Sequence, residues 1–312
     1  MLITRLATAL FGVSVLTACA TATENQMAHS EMAAADTFVT LPQGRIHAIV
    51  QGAGPDLVMI HGANSNARDF SFDLMNRMAD EFRVIAFDRP GFGYSDSFGE
   101  PLSPSEQADI LRNAARQLGV KNPVVLGHSY GGAVALAWAL QAGDDIAGLT
   151  LLAPTSHPWP GRLGFWYRFS ASPIGQHVML PMVSNLASQA AVQRTLRRVF
   201  QPDPVPAGYL EHLGFDLTTR TSMLQLNAQQ VGSLRGYLED LYPGYSTLTL
   251  PIEIVHGRAD RTVGLQFHSE RLAAEVESVN LIRVENMGHV PHHADPELVA
   301  NAIRRTAERA GL

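Results

Sequence analysis

The stretch Val124-Val125-Leu126-Gly127-His128-Ser129-Tyr130-Gly131-Gly132 leaves the surrounding chain few choices. Aliphatic residues run straight into a glycine, one serine and two more glycines, and Ala133 to Leu140 continues in good helix formers. This predicts a buried strand, a very tight turn and a helix, with Ser129 at the apex. A serine on a strained turn needs small residues two positions to either side, because a Cβ there would strike the crossing strand and helix. The turn pushes Oγ out of the chain, where a histidine can reach it. The spacing Gly127-x-Ser129-x-Gly131 is that of a nucleophile elbow. The pentapeptide alone is common, so the reading depends on partners elsewhere in the chain.

The rest of the chain supplies a frame. Arg45 to Val50 alternates as an antiparallel edge strand does, and Asp56 to Ile60 reads as a buried strand running into His61-Gly62-Ala63-Asn64. Arg83 to Phe87 is the next strand, followed by the glycine-rich loop from Asp88 to Ser95. A helix is expected from Ser105 to Leu118, capped by Ser103 or Ser105, and Ile146 to Leu152 is a further strand. The pattern lapses after Ala153-Pro154. Residues 155–247 read as helical and irregular, with Trp159, Trp166 and several methionines among leucines. It then resumes with a strand at Pro251 to Gly257, a helix from Leu265 to Val276, a strand at Val279 to Val284 and a closing helix at Pro296 to Arg309. Strands alternating with helices imply right-handed crossovers. The expected class is α/β, a mostly parallel sheet with helices on both faces and an inserted helical cap. The core spans 38–154 and 248–312, and the cap spans 155–247.

The amino terminus carries a different message. Arg5 precedes a short apolar run from Leu6 to Leu16, too short to span a membrane in the usual way and suited to an export signal. Leu16-Thr17-Ala18-Cys19 resembles the bacterial lipobox, and Cys19 is the only cysteine of the 312 residues, so no internal disulfide exists. Residues 1–19 are therefore expected to be a lipoprotein-type signal peptide ending in its lipidation site. The protein would be exported and lipid-anchored in the cell envelope, facing the periplasm. An ordinary signal cut near Ala18, Ala20 or Ala22 is the alternative. Residues 20–37 read as a flexible tether, or else as an extra helix, which their alanine content allows. The net charge of −6 makes nucleic acid an improbable partner.

Two segments meet the needs of Ser129. Asp260 follows the strand ending at Gly257, and His289 follows the last strand. In an open parallel sheet the loops after the strands share one edge, so the three residues can converge there. Their order, serine then acid then histidine, completes a resemblance to the α/β-hydrolase family over residues of about 38 to 312. Its matches are His61-Gly62, Asp88-Arg89-Pro90-Gly91-x-Gly93-x-Ser95, Gly127-His128-Ser129-Tyr130-Gly131-Gly132, His256-Gly257-x-x-Asp260 and Gly288-His289. The resemblance implies Ser129 as nucleophile, His289 as general base and acid, and Asp260 as the group that fixes the histidine. It also implies an oxyanion hole made by the backbone N–H groups of Ala63 and Tyr130.

Other residues invite functional readings. His61 and His128 are expected to pack rather than act as bases. His289, His292, His293 and Asp295 resemble a metal cluster on paper, but their spacing matches no zinc signature, so neither metal nor cofactor is expected. Asp88 is expected to brace the glycine-rich loop. Trp159, Trp166 and Tyr167 either line a substrate pocket or form the cap's own core. Arg197, Arg198 and Arg220 either grip a carboxylate or lie on a solvated face.

The favoured activity is hydrolysis of a carboxylic ester or lactone with an apolar or aromatic acyl group of modest size, through an acyl-enzyme. Carbon–carbon bond hydrolysis, amide hydrolysis by an amidase or aminopeptidase, and perhydrolase chemistry stay open, as does a non-catalytic binding role on the same fold. The oligomeric state is open too. For the anchor, the mature protein is expected to begin at Cys19 and to carry the mass of its acyl chains there. A mature mass without that increment removes the lipoprotein reading.

Overall fold

The strand text sorts by burial. Asp56–Ile60 (β3), Val124–His128 (β5), Gly148–Leu152 (β6) and Ile252–Gly257 (β7) are buried along their whole length, as central strands covered on both faces must be. In the computed structural model, which describes residues 36–99, 101–143, 145–161 and 164–312, they form the middle of an eight-stranded sheet. The remaining strands are Asp36–Leu41 (β1), Gly44–Gln51 (β2), Arg83–Phe87 (β4) and Val279–Val284 (β8), and the sheet order is β1-β2-β4-β3-β5-β6-β7-β8. β2 pairs antiparallel with β4, and every pairing from β4 through β8 is parallel.

Helices complete the layers. They include Arg68–Ser71 (α1), Pro104–Gln117 (α2), Tyr130–Ala142 (α3) and Pro296–Arg309 (α4). The capping question at α2 resolves to Ser103. Its hydroxyl accepts from the Glu106 N–H while the Glu106 carboxylate accepts from the Ser103 N–H, and Pro104 opens the helix. α3 is apolar all round because it packs within the main core rather than on its surface.

Four expectations need adjustment. β2 is not the edge of the sheet, because β1 lies outside it with Val39 and Leu41 turned inward. β1 begins at Asp36, inside the segment read as a tether, and the rest of residues 1–35 lies outside the described part. β6 starts at Gly148 rather than Ile146. The helix expected from Leu265 to Val276 is a short 3-10 turn at Leu265–Phe267 and a helix at Ser269–Glu275, broken where His268 turns inward and accepts the N–H groups of Ser156 and His157.

Between β6 and β7 no strand occurs among the described residues. The segment is built of helices: Phe165–Ser170 (α5), Leu180–Asn185 (α6), Gln189–Phe200 (α7), Tyr209–Leu213 (α8), Phe215–Thr219 (α9) and Thr221–Leu241 (α10), with a π-helical turn at Gly175–Met179.

Strand register positions the loops. Ile60 of β3 is level with Gly127 of β5, His128 with Leu152 of β6, and Leu152 with Val255 of β7. The loops after β3, β5, β7 and β8 therefore leave the sheet along one edge. The chain runs from β3 outward to β4 on one side and places β5 on the other, so a crevice opens above β3 and β5. The elbow fills its base. A Cβ on Gly127 would collide with the Gly131 carbonyl oxygen, and one on Gly131 with the carbonyl oxygens of Ile60 and His61. Gly131→Ala is expected to lower the unfolding free energy by about 1–3 kcal/mol, since two backbones would have to separate. Denaturant unfolding measures it, and an unchanged midpoint would contradict this contact.

Candidate active site

Ser129 sits at φ 53°, ψ −117°, a left-handed backbone position that non-glycine residues seldom occupy. The surroundings hold it there: its N–H donates to the Leu152 carbonyl at 2.9 Å, and its own carbonyl accepts from Gly132 and Thr155. Its hydroxyl lies 3.0 Å from His289 Nε2, and His289 Nδ1 lies 2.7 Å from Asp260 Oδ2. All three side chains are almost wholly out of solvent. With Asp260 ionised, Nδ1–H donates to the carboxylate and Nε2 is left to accept from the serine.

Asp260 is surrounded by donors. Its Oδ1 accepts the N–H groups of Thr262 (2.7 Å) and Val263 (3.0 Å), and its Oδ2 accepts from His289 and from His256 Nε2 at 3.1 Å. His256 is held in turn by Ser269, 2.7 Å from its Nδ1. Burial by itself would raise the Asp260 carboxyl. The charge of His289 and the hydrogen bonds from His256 and His289 outweigh it and hold the group well below the usual carboxylate range. His256 stood in the sequence as part of a motif, and nothing in its spacing disclosed that it shares the acid with His289.

Ala63 and Tyr130 line the same cavity of about 370 Å³ as Ser129. Tyr130 opens α3, so its N–H has no acceptor within the helix. Its ring turns away into the core, where the phenol receives a hydrogen bond from Gln107 Nε2 at 3.3 Å. Trp159 and Tyr167 also line this cavity, and Trp159 packs in addition against the main core of the sheet. The side chain of Trp166 lies outside the described residues. Arg197 and Arg198 are exposed, and Arg220 reaches the Gly93 carbonyl at 3.4 Å.

The loop carrying Ala63 rests on a buried cation. Arg89 is fully buried. Its guanidinium donates to Gly62 O (3.0 Å), Gln107 Oε1 (2.9 Å) and Gln230 Oε1 (2.8 Å), and lies over the rings of Phe92 and Tyr130. Burial pulls its pKa down to about 10, which leaves it charged at neutral pH. His61 accepts the Arg89 N–H at Nε2 (3.0 Å) and bonds the Gly62 carbonyl through Nδ1 (2.9 Å). Both ring nitrogens are thus engaged away from the serine, and burial followed by the Arg89 charge lowers its pKa to about 3. Asp88 is far from this chain of bonds in role: it accepts from Ala67 N, Tyr94 N and His47, and so ties the glycine-rich loop to α1 and β2.

The four residues that resembled a metal cluster do not converge on one point. Asp295 caps α4 through the Leu298 N–H, and His289 faces Ser129. His292 and His293 instead turn to Asp69 Oδ1, at 3.2 and 2.8 Å, and Tyr209 donates to the same oxygen at 2.8 Å. The potential ligand atoms of Asp69, His292 and His293 lie within 4.8 Å of one another, and each histidine already directs its Nε2 at this carboxylate. His128 joins this group to the serine: its Nε2 bonds the His289 carbonyl at 2.9 Å, and its Nδ1 lies 3.8 Å from Asp69. Asp69 and Tyr209 are 140 residues apart in sequence, and no pattern in the chain linked them.

Comparison with known proteins identifies the family. Residues 57–302 match the family model described as the alpha/beta hydrolase family. The chain is 30% identical over 203 residues to a pimeloyl-[acyl-carrier protein] methyl ester esterase of Photorhabdus laumondii, covering 60% of this chain and 76% of that one. It is 25% identical over 276 residues to haloalkane dehalogenase 2 of Mycobacterium tuberculosis, covering 84% and 91%. Among solved structures, the esterase EaEST from Exiguobacterium antarcticum superposes with a TM-score of 0.70 at 21% identity, covering 86% of this chain and 98% of that one.

Buried histidines, among them His61, His128, His268 and His292, weaken the fold in acid. His61 and His268 both have pKa values lowered to about 3, chiefly by burial, whereas an unfolded histidine titrates near 6.5. Their contribution is therefore fully present above pH about 6.5 and is lost as pH falls toward 3. Unfolding free energy is expected to decline steadily from about pH 6.5 down to pH 4. A value constant over that range in denaturant titrations would contradict the buried neutral assignment.

Proposed function

Because this chain belongs to the alpha/beta hydrolase family, and is a hydrolase, we propose that it cleaves a carboxylic ester or lactone through an acyl-enzyme on Ser129. The observation that carries the proposal is the bond sequence Ser129 Oγ–His289 Nε2, His289 Nδ1–Asp260 Oδ2, opening onto the cavity that Ala63 and Tyr130 also line. Ser129 Oγ attacks the carbonyl carbon as its proton passes to His289 Nε2. Asp260 stabilises the resulting imidazolium and fixes the tautomer. Negative charge on the carbonyl oxygen is met by the N–H groups of Ala63 and Tyr130, each such donor supplying about 10²–10³ in rate. His289 then gives its proton to the leaving oxygen. Water, deprotonated by the same nitrogen, releases the acid.

The surroundings favour an ester over the substrate of an aminopeptidase. An aminopeptidase needs an acid to hold the substrate amine, and Glu211, Asp216, Glu239 and Asp240 of the cap are exposed. Asp69, the acid on the wall of the cavity that holds Ser129 and His289, is already bonded to two histidines and a tyrosine. The similarity to two esterases supports the same reading.

The cap, residues 155–247, would then select the substrate, and a lipid on Cys19 would hold the exported enzyme at a membrane of the cell envelope. That location rests on the Leu16-Thr17-Ala18-Cys19 sequence.

A fluorophosphonate is expected to label Ser129 in the folded protein. Ser129→Ala should lower ester turnover by about 10⁴–10⁶-fold, and Asp260→Asn by about 10⁴-fold. A panel of esters, lactones, amides and vinylogous diketones decides the bond: turnover of the diketones alone would replace ester hydrolysis by carbon–carbon hydrolysis.

A further inference from the structure

The large apolar side chains left in solvent are concentrated in one part of the chain. Leu186 is 76% exposed, Ile174 64% and Met182 57%, and Val178 and Val183 are about half exposed. Ile174, Val178 and Met182 are spaced by four, as are Met179 and Val183, so the π-helical turn and α6 present them as a stripe on one side. With α7 across from it, this stripe walls a groove of about 670 Å³ in which no charged side chain takes part. A patch of this kind signals an apolar partner.

The groove is continuous with the active site. Asn64, Thr195 and Leu224 line both the groove and the cavity of about 320 Å³ that contains Ser129 and His289. Asn64 directly follows Ala63, one of the two proposed oxyanion donors, so the path starts at the reacting carbonyl. It runs between α7 and α10 and ends among the methionines and aliphatics of the cap surface. Methionine suits a flexible apolar guest because it is unbranched and polarisable.

From this continuity we propose that the cap groove is an acyl-chain subsite, and that the substrates are esters of long, unbranched, uncharged acyl groups. The proposal rests on the ester-hydrolase reading above. The carbonyl lies at Ser129, the first carbons of the acyl group occupy the inner cavity, and the chain passes Leu224 and Thr195 into the groove. There it covers the exposed faces of Met182 and Leu186. The opposite cavity, lined by Trp159, Tyr167 and Phe267, is left for the alcohol part.

The test is a series of p-nitrophenyl esters from acetyl to palmitoyl, held below their aggregation concentrations, with the full mature chain. kcat/KM is expected to rise by about two- to fourfold per methylene, the effect of burying each CH₂, and to go on rising beyond the length that the inner cavity holds. Met182→Glu and Leu186→Glu, both at exposed positions that tolerate charge in the fold, should lower the ratio of dodecanoyl to acetyl kcat/KM by about tenfold or more. A profile that falls beyond butanoyl overturns the proposal, as does an unchanged ratio in both variants. If the variants instead convert a dimer to a monomer with the ratio unchanged, the stripe is a contact between copies of the chain and the acyl subsite is lost. Absence of turnover at every length, with no fluorophosphonate labelling of Ser129, strikes the hydrolase mechanism itself and is distinguishable from these results.

Discussion

The elbow is pressed so closely against the neighbouring strand that only glycine fits at the contact. Gly131 faces the carbonyl oxygens of Ile60 and His61, and Gly127 faces Gly131 in turn. This contact binds the end of β5 to the end of β3, and with it the serine to the loop that carries Ala63. Neither could be displaced alone. The strain at Ser129 persists because bonds from Leu152, Gly132 and Thr155 over-determine its position. Arg89 extends the same constraint downward. A buried guanidinium is costly unless its hydrogens are taken up. Gly62 belongs to the loop after β3, Gln107 to α2 and Gln230 to α10, so the need to satisfy one cation joins loop, core and cap.

The chain has twelve histidines, and their surroundings give them different properties. His61 and His268 are held neutral chiefly by burial, with a cationic or imidazole neighbour adding to it. His289 faces a carboxylate on one side and a hydroxyl on the other, the arrangement that lets an imidazole take and return a proton. His292 and His293 face Asp69, and His128 connects that group to the backbone of His289. Three buried aspartates, Asp69, Asp88 and Asp260, are each kept below their usual range by donors gathered around them. They have similar local chemistry, and the difference in role lies in which histidine each one meets.

One stretch of the cap departs from the burial seen elsewhere. The core strands bury their aliphatic side chains, while α6 and the turn before it leave theirs in solvent beside the path to Ser129. The same segment supplies Asp203, whose carboxylate accepts the Gly288 N–H at 2.7 Å, next to His289. A hydrogen bond therefore ties the cap to the loop that carries His289.

Much of this was legible in the chain. Unbroken aliphatic runs predicted the central strands, because a strand covered on both faces has no polar side. The closing helix matched its expected limits, and the spacing around Ser129 identified the elbow, since only small residues survive that contact. Asp260 and His289 could be singled out because each follows a strand, and parallel strands end on one edge. The structure alone decided what depends on distant pairs: that β1 covers β2, that Asp69 meets Tyr209 and His293, that Arg89 is held by Gln230, and that His256 shares Asp260. It also decided the course of the groove. Such contacts join residues separated by up to 224 positions, and a local pattern carries no information about them. Periodicity reports which face of an element is buried; only the packed chain determines what lies against that face.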